Sequence, residues 1–115
     1  TRLAADAAIP VTLGREEWAY LVLAPVLPAG LAVVGDVDKL VPAGDARIEV
    51  TATGDGARLV VKGAGETVTI TGWAPSPPTV AGSAAHDPTH DAATGVWTVA
   101  VDVPSRGWAS VDVRA

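Results

Sequence analysis

The chain of 115 residues carries a formal net charge of −5, 49% hydrophobic residues, four Trp and one Tyr, and it has no Phe, Cys or Met. That length fits one domain with a real hydrophobic core and is too short for a barrel enzyme with its loops, while the acidic balance argues against a nucleic-acid partner, which needs clustered Lys and Arg. No apolar stretch approaches the ~18–20 residues that span a bilayer, so no membrane partner is expected, and without cysteine the sequence does not choose between cytoplasm and secretion.

The absence of Met and the start at Thr1 lead us to expect a single domain, residues 1–115, excised from a longer protein. Its core should be packed by Val, Leu, Ile and Ala, and Val favours strands because its branched Cβ suits a pleated surface.

In chain order, the first predicted strand covers residues 9–13. A turn at Gly14-Arg15-Glu16 leads into a second strand over 18–24, which Pro25 and Pro28 end. Residues 31–35 form a third short strand, and Pro42-Ala43-Gly44-Asp45 is a turn before the strand at 47–53. Here the period of two is clearest. Ile48, Val50 and Ala52 fall on one face, and Arg47, Glu49, Thr51 and Thr53 on the other.

Gly54-Asp55-Gly56 reads as a hairpin turn, with Asp-Gly supplying positive φ. Residues 58–62 return, Gly63-Ala64-Gly65 turns again, and residues 66–73 place Val68 and Ile70 inward with three Thr outward, which predicts a β-meander. Residues 74–85, rich in Pro, Ser and Gly, form a long connection with a short edge strand near 79–81. Strands at 96–103 and 108–114 close the chain as a hairpin. These segments predict an all-β fold: an antiparallel two-sheet β-sandwich of about eight strands, with a small closed barrel as the alternative.

Three groups of residues merit chemical scrutiny. His86, Asp87, His90 and Asp91 in HDPTHD could hold a divalent metal if a helical turn begun at Pro88 brought both imidazoles to one side; otherwise residues 90–96 are a loop of turn formers. Glu16 and Glu17 are adjacent and lack the spacing of a glycosidase pair, and no nucleophile elbow or phosphate loop is present. No cofactor and no catalytic residue is expected in this chain.

By parity Trp97 shares the core face with Val99, Val101 and Val103. Trp73 and Trp108 share their faces with Thr, Ser and charged residues, so they are candidate platforms for a sugar ring, or anchors for a neighbouring domain. Asp36, Asp38 and Lys39 interrupt an apolar run and are candidates for shaping a loop at a domain interface.

Five segments carry a family resemblance through their order and spacing. They are Pro10-Val11-Thr12-Leu13 followed by Glu17, then Leu23-Ala24-Pro25-Val26, then AVVGDVDKLVP at 32–42. The last two are Val60-Val61-Lys62-Gly63-Ala64-Gly65 and HDAATGVWTV at 90–99. Together they resemble the C-terminal β-sandwich of glycoside hydrolases of the α-galactosidase and raffinose-synthase type, including seed-imbibition-protein relatives.

That resemblance implies a parent enzyme whose two catalytic Asp residues lie on a (β/α)8 barrel outside this chain. The sandwich would then be a non-catalytic accessory domain that packs on the barrel. The residues leave two other functions open: a carbohydrate-binding module using Trp73 and Trp108, and an immunoglobulin-like protein-interaction domain.

Overall fold

Alternating apolar and polar residues, punctuated by Gly and Pro, produce strands and no helix among the described residues. The computed structural model describes residues 23–36 and 47–115. Within them lie β1 (Ala32–Gly35), β2 (Ile48–Ala52), β3 (Gly56–Lys62), β4 (Thr67–Trp73), β5 (Thr79–Ala81), β6 (Ala85–His90), β7 (Val96–Asp102) and β8 (Trp108–Arg114). They form two antiparallel sheets of four, ordered β1-β4-β7-β6 and β2-β3-β8-β5. The sandwich expected from the pattern is therefore present. The strand read at 9–13, the turns at 14–16 and 42–45, and residues 18–22 of the strand read at 18–24 lie outside the described residues, while Leu23 and Ala24 at the end of that reading are not in a strand.

The core is aliphatic. Val68 and Ile70 of β4 with Val99 and Val101 of β7 face Leu59 and Val61 of β3 with Val111 and Val113 of β8, all fully buried. Each such side chain contributes roughly 1.5–3 kcal/mol through removal from water. Trp97, 1% exposed, is the largest buried side chain. Its indole lies over Gly72 on the neighbouring strand, where an added Cβ would sit 2.2 Å from Cζ2. Glycine at 72 is therefore the space into which the tryptophan packs.

The connectivity departs from the predicted meander. Among the described residues only β2–β3 and β6–β7 are hairpins between consecutive strands; β3 to β4 and β7 to β8 both cross between sheets, so the last two strands do not form a hairpin. Alternation specifies which face of a strand is apolar, and it is silent about the partner across the hydrogen bonds.

The β2–β3 turn also differs in mechanism from the expectation, because the positive-φ residues do not include Gly54, Asp55 or Gly56. Gly56 is required instead by close approach, since a Cβ there would fall 1.8 Å from the carbonyl oxygen of Val113 on β8. By contrast Gly63 and Gly65 do take positive φ, as their turn requires.

One strand was read as something else. Residues 85–90 form β6, an edge strand on β7, where the sequence suggested a loop or a helical turn. Pro88 and Asp87 hide it, and they are tolerated because an edge strand has one row of backbone groups free of the ladder.

Candidate functional site

The residues with ligand-binding chemistry gather around β6. Between His86 and Thr89 the register with β7 slips: His86 pairs with Ala100 and Thr89 with Thr98, so Asp87 and Pro88 together oppose Val99 alone. This is a β-bulge, and Asp87 within it adopts φ 52°, the one non-glycine residue with positive φ among those described. The left-handed region is disfavoured for a residue preceding proline, so the conformation stores strain of order 1–3 kcal/mol.

Neighbouring groups hold it in place. His86 Nδ1 lies 2.9 Å from Asp87 Oδ2 and its Nε2 lies 3.0 Å from Asp102 Oδ2 on β7, the latter contact poorly aligned for a hydrogen bond. Thr67 on β4 donates its hydroxyl to the other oxygen of Asp102 at 2.7 Å. The carboxylates of Asp102 and then Asp87 raise the pKa of His86 above the ordinary imidazole value. In turn the Thr67 hydroxyl and then His86 hold the Asp102 carboxyl below its ordinary range.

The bulge decides what the two histidines can do together. In an unbroken strand residues four apart share a face, but the extra residue puts His86 opposite outward-facing Ala100 and His90 opposite the inward-facing, buried Trp97. The helical turn on which the metal set His86, Asp87, His90 and Asp91 depended is thus replaced by a strand that separates the two imidazoles. No group of three or more His, Asp or Glu positioned for a metal occurs among the described residues. Asp91 instead closes the β6–β7 turn, accepting a hydrogen bond from the amide of Ala93 at 2.9 Å.

Inward-turned His90 is fixed by a hydrogen bond from its Nε2 to the carbonyl oxygen of Ala74, at 3.0 Å. A carbonyl only accepts, so Nε2 is the donor of this bond. Beside it a cleft of about 170 Å³ opens between the β4–β5 connection and β6. Its walls include Pro77, Pro78 and Pro88, the hydrogen-bonded Thr89–Thr98 pair, and Trp97.

The two candidate platforms lie elsewhere. Trp73 ends the threonine row on the outer face of the first sheet, as parity predicted. It is half-buried, and its Nε1 donates to the carbonyl of Thr94 at 3.1 Å while the ring crowds Gly95. It clasps the β6–β7 turn. Trp108 is 45% exposed on the outer face of the second sheet. The guanidinium of Arg106 stacks over its ring at 4.4 Å from the centroid. The two indoles therefore stand on opposite outer faces of the sandwich, too far round the molecule to serve as one platform.

Of the loop candidates, Asp38 and Lys39 lie outside the described residues. Asp36, 5% exposed at the end of β1, sits 3.5 Å from Arg47 Nε, whose Nη2 also reaches Glu66 Oε2 at 2.7 Å. Arg47 leads directly into β2, while Asp36 and Glu66 flank strands of the first sheet, so this ionic group ties the two sheets together at one margin. The remaining cross-strand pairs, Arg58 with Asp112 and Lys62 with Glu49, cover the outer face of the second sheet.

No protein-family model, curated protein or solved structure matches the chain.

Proposed function

We propose that this chain is a non-catalytic accessory β-sandwich of a glycoside hydrolase, packing on and stabilising a (β/α)8 catalytic barrel in the same parent chain. The observation that supports docking is the inward row of β2. Ile48 is fully buried, yet Val50 and Ala52, on the same face and opposite buried Leu59 and Ala57, emerge into solvent, with Val50 37% exposed. An apolar core face that runs out beyond its cover is the kind of surface a neighbouring domain closes. The Asp36–Arg47–Glu66 group fixes the covered start of β2, next to Ile48. The identification of the partner as a glycosidase barrel rests on the resemblance of the five segments between Pro10 and Val99 described above. Removing the domain from the full-length parent is expected to lower its melting temperature and solubility; an unchanged melting temperature would refute the proposal.

One observation favours a second reading, a carbohydrate-binding module: the exposure of Trp108. Arg106 occupies one face of that indole, so a stacked sugar must use the other face or displace the guanidinium. Loss of polysaccharide retention in Trp108→Ala, with the fold intact, would favour this reading over docking.

A further inference from the structure

We propose that the parent's neighbouring domain docks by strand addition: an extended segment of it pairs with the open edge of β2 and continues the β2-β3-β8-β5 sheet. This rests on the docking reading above and names the element that carries it. The phase of the β2–β3 ladder decides which backbone groups are on offer. The amide of Lys62 donates to the carbonyl of Arg47 at 2.8 Å, and the amide of Thr53 donates to the carbonyl of Gly56 at 3.0 Å. Bonded pairs alternate in an antiparallel ladder, so Arg47, Glu49, Thr51 and Thr53 turn their N–H and C=O groups toward β3, and Ile48, Val50 and Ala52 turn theirs to the opposite side. Among the described residues β2 has a ladder partner on the β3 side alone. The outward backbone groups belong to the same residues whose side chains form the inward row, and Val50 and Ala52 are exposed. One added strand therefore meets both needs: it bonds to the free row and lays its own side chains beside Val50 and Ala52.

The other three terminal strands point the same way by contrast, because each is blunted. β5 is three residues long, β1 has a register shift between Val33 and Gly35, and β6 carries Pro88 within its bulge. Proteins protect sheet edges from unwanted pairing by such devices, and β2 has none of them: it runs for five residues in unbroken register with β3, with no Pro, Gly, Lys or bulge. The register also states what fits. The added strand is apolar opposite Val50 and Ala52, and polar but not acidic opposite Glu49, where a like charge would be destabilising. Strands of a closed barrel are bonded on both sides, so the segment comes from a connection of the parent and not from a barrel strand.

The test is hydrogen exchange resolved at single amides, on this chain alone and on the full-length parent. In the chain alone the amides of Val50 and Ala52 should exchange fast and those of Glu49 and Thr51 slowly. In the parent, exchange at Val50 and Ala52 should slow by about tenfold or more as their N–H groups enter a ladder. Val50→Pro deletes one outward donor and spares the bonds to β3, so in the parent it should return the Ala52 amide to its rate in the isolated chain; Val50→Ala, which keeps the donor, should leave that amide slow. The proposal is overturned if Val50 and Ala52 exchange equally fast in both settings, if they are already slow in the chain alone, or if the folded Val50→Pro parent keeps Ala52 protected. Where deleting the domain still lowers the melting temperature of the parent, such a result strikes strand addition and spares docking; an unchanged melting temperature on deletion strikes both.

Discussion

Strands β8 and β2 belong to the same sheet and follow the same rule, yet they end in different environments. In β8, Ala109, Val111 and Val113 alternate with exposed or half-buried residues and all three are fully buried. In β2, Ile48, Val50 and Ala52 alternate as cleanly, and only Ile48 is covered. The difference is position: β8 is central, flanked by β3 and β5 and facing the opposing sheet, whereas β2 is at one end of the strand order. A period of two reveals which residues share a face, while burial also requires something to lie over that face.

The sharpest way to break this comparison is a pair of truncations at one register position, since Val50 and Leu59 are directly opposite. Leu59→Ala should cost about 2–5 kcal/mol of unfolding free energy by leaving a cavity, and Val50→Ala less than about 1 kcal/mol. Chemical denaturation of both variants measures it. Equal losses would mean that the β2 margin is core after all.

A smaller effect is expected at Gly72. Its substitution by Ala drives a methyl group into the Trp97 indole and the carbonyl of Ala32, and should destabilise by roughly 1–3 kcal/mol through overpacking, with altered near-UV circular dichroism from the displaced indole. Alanine at Gly54, where nothing lies within 4 Å of the added Cβ, serves as the contrast and should be nearly neutral.

The smallest effect concerns the edge strand β6. His86 has its folded pKa raised by Asp102 and Asp87, so its contribution to stability is fully present below the ordinary imidazole value of about 6.5 and is lost as pH rises through the higher folded value. Asp102 has its folded pKa lowered, so its contribution is present above the ordinary carboxylate range and is lost as pH falls through the folded value. Amide exchange in β6, corrected for the intrinsic rate, should therefore be slowest in mildly acidic solution and faster toward alkaline pH. His86→Gln should remove the alkaline arm of that dependence.

Much of the fold was legible in the residues themselves. Strands β2, β3, β4, β7 and β8 were readable from period-two alternation between glycine turns, and even the three-residue edge strand β5 was marked by the Pro-rich segments around it. β6 was not, because AHDPTH has no alternation, contains a proline and includes a bulge that shifts the period midway. Apart from the β2–β3 hairpin, the sheet partners were not legible either, since crossovers between sheets leave no local signature.

The candidate site followed the same division. Trp97 as core and Trp108 as an exposed indole could be read from parity, and so could the outward face of Trp73, although not its half-buried seat under the β6–β7 turn. The cleft could not be anticipated, because it is assembled from the separate segments 77–80, 88–90 and 97–98, and its imidazole faces inward only because of the inserted residue. The His-Asp spacing in HDPTHD suggested a metal set on a helical turn, and the segment is instead a bulged strand that parts the two imidazoles.

The central claim is that the β2 margin is a docking surface, and the most direct measurement is the melting temperature of Val50→Lys in two settings, this chain alone and the full-length parent. Docking predicts an isolated domain that melts within the change equivalent to about 0.5 kcal/mol, and a parent that melts measurably lower because a charge has been placed in a buried contact. A parent unaffected by the substitution, or an isolated domain that loses as much as the parent, would contradict it.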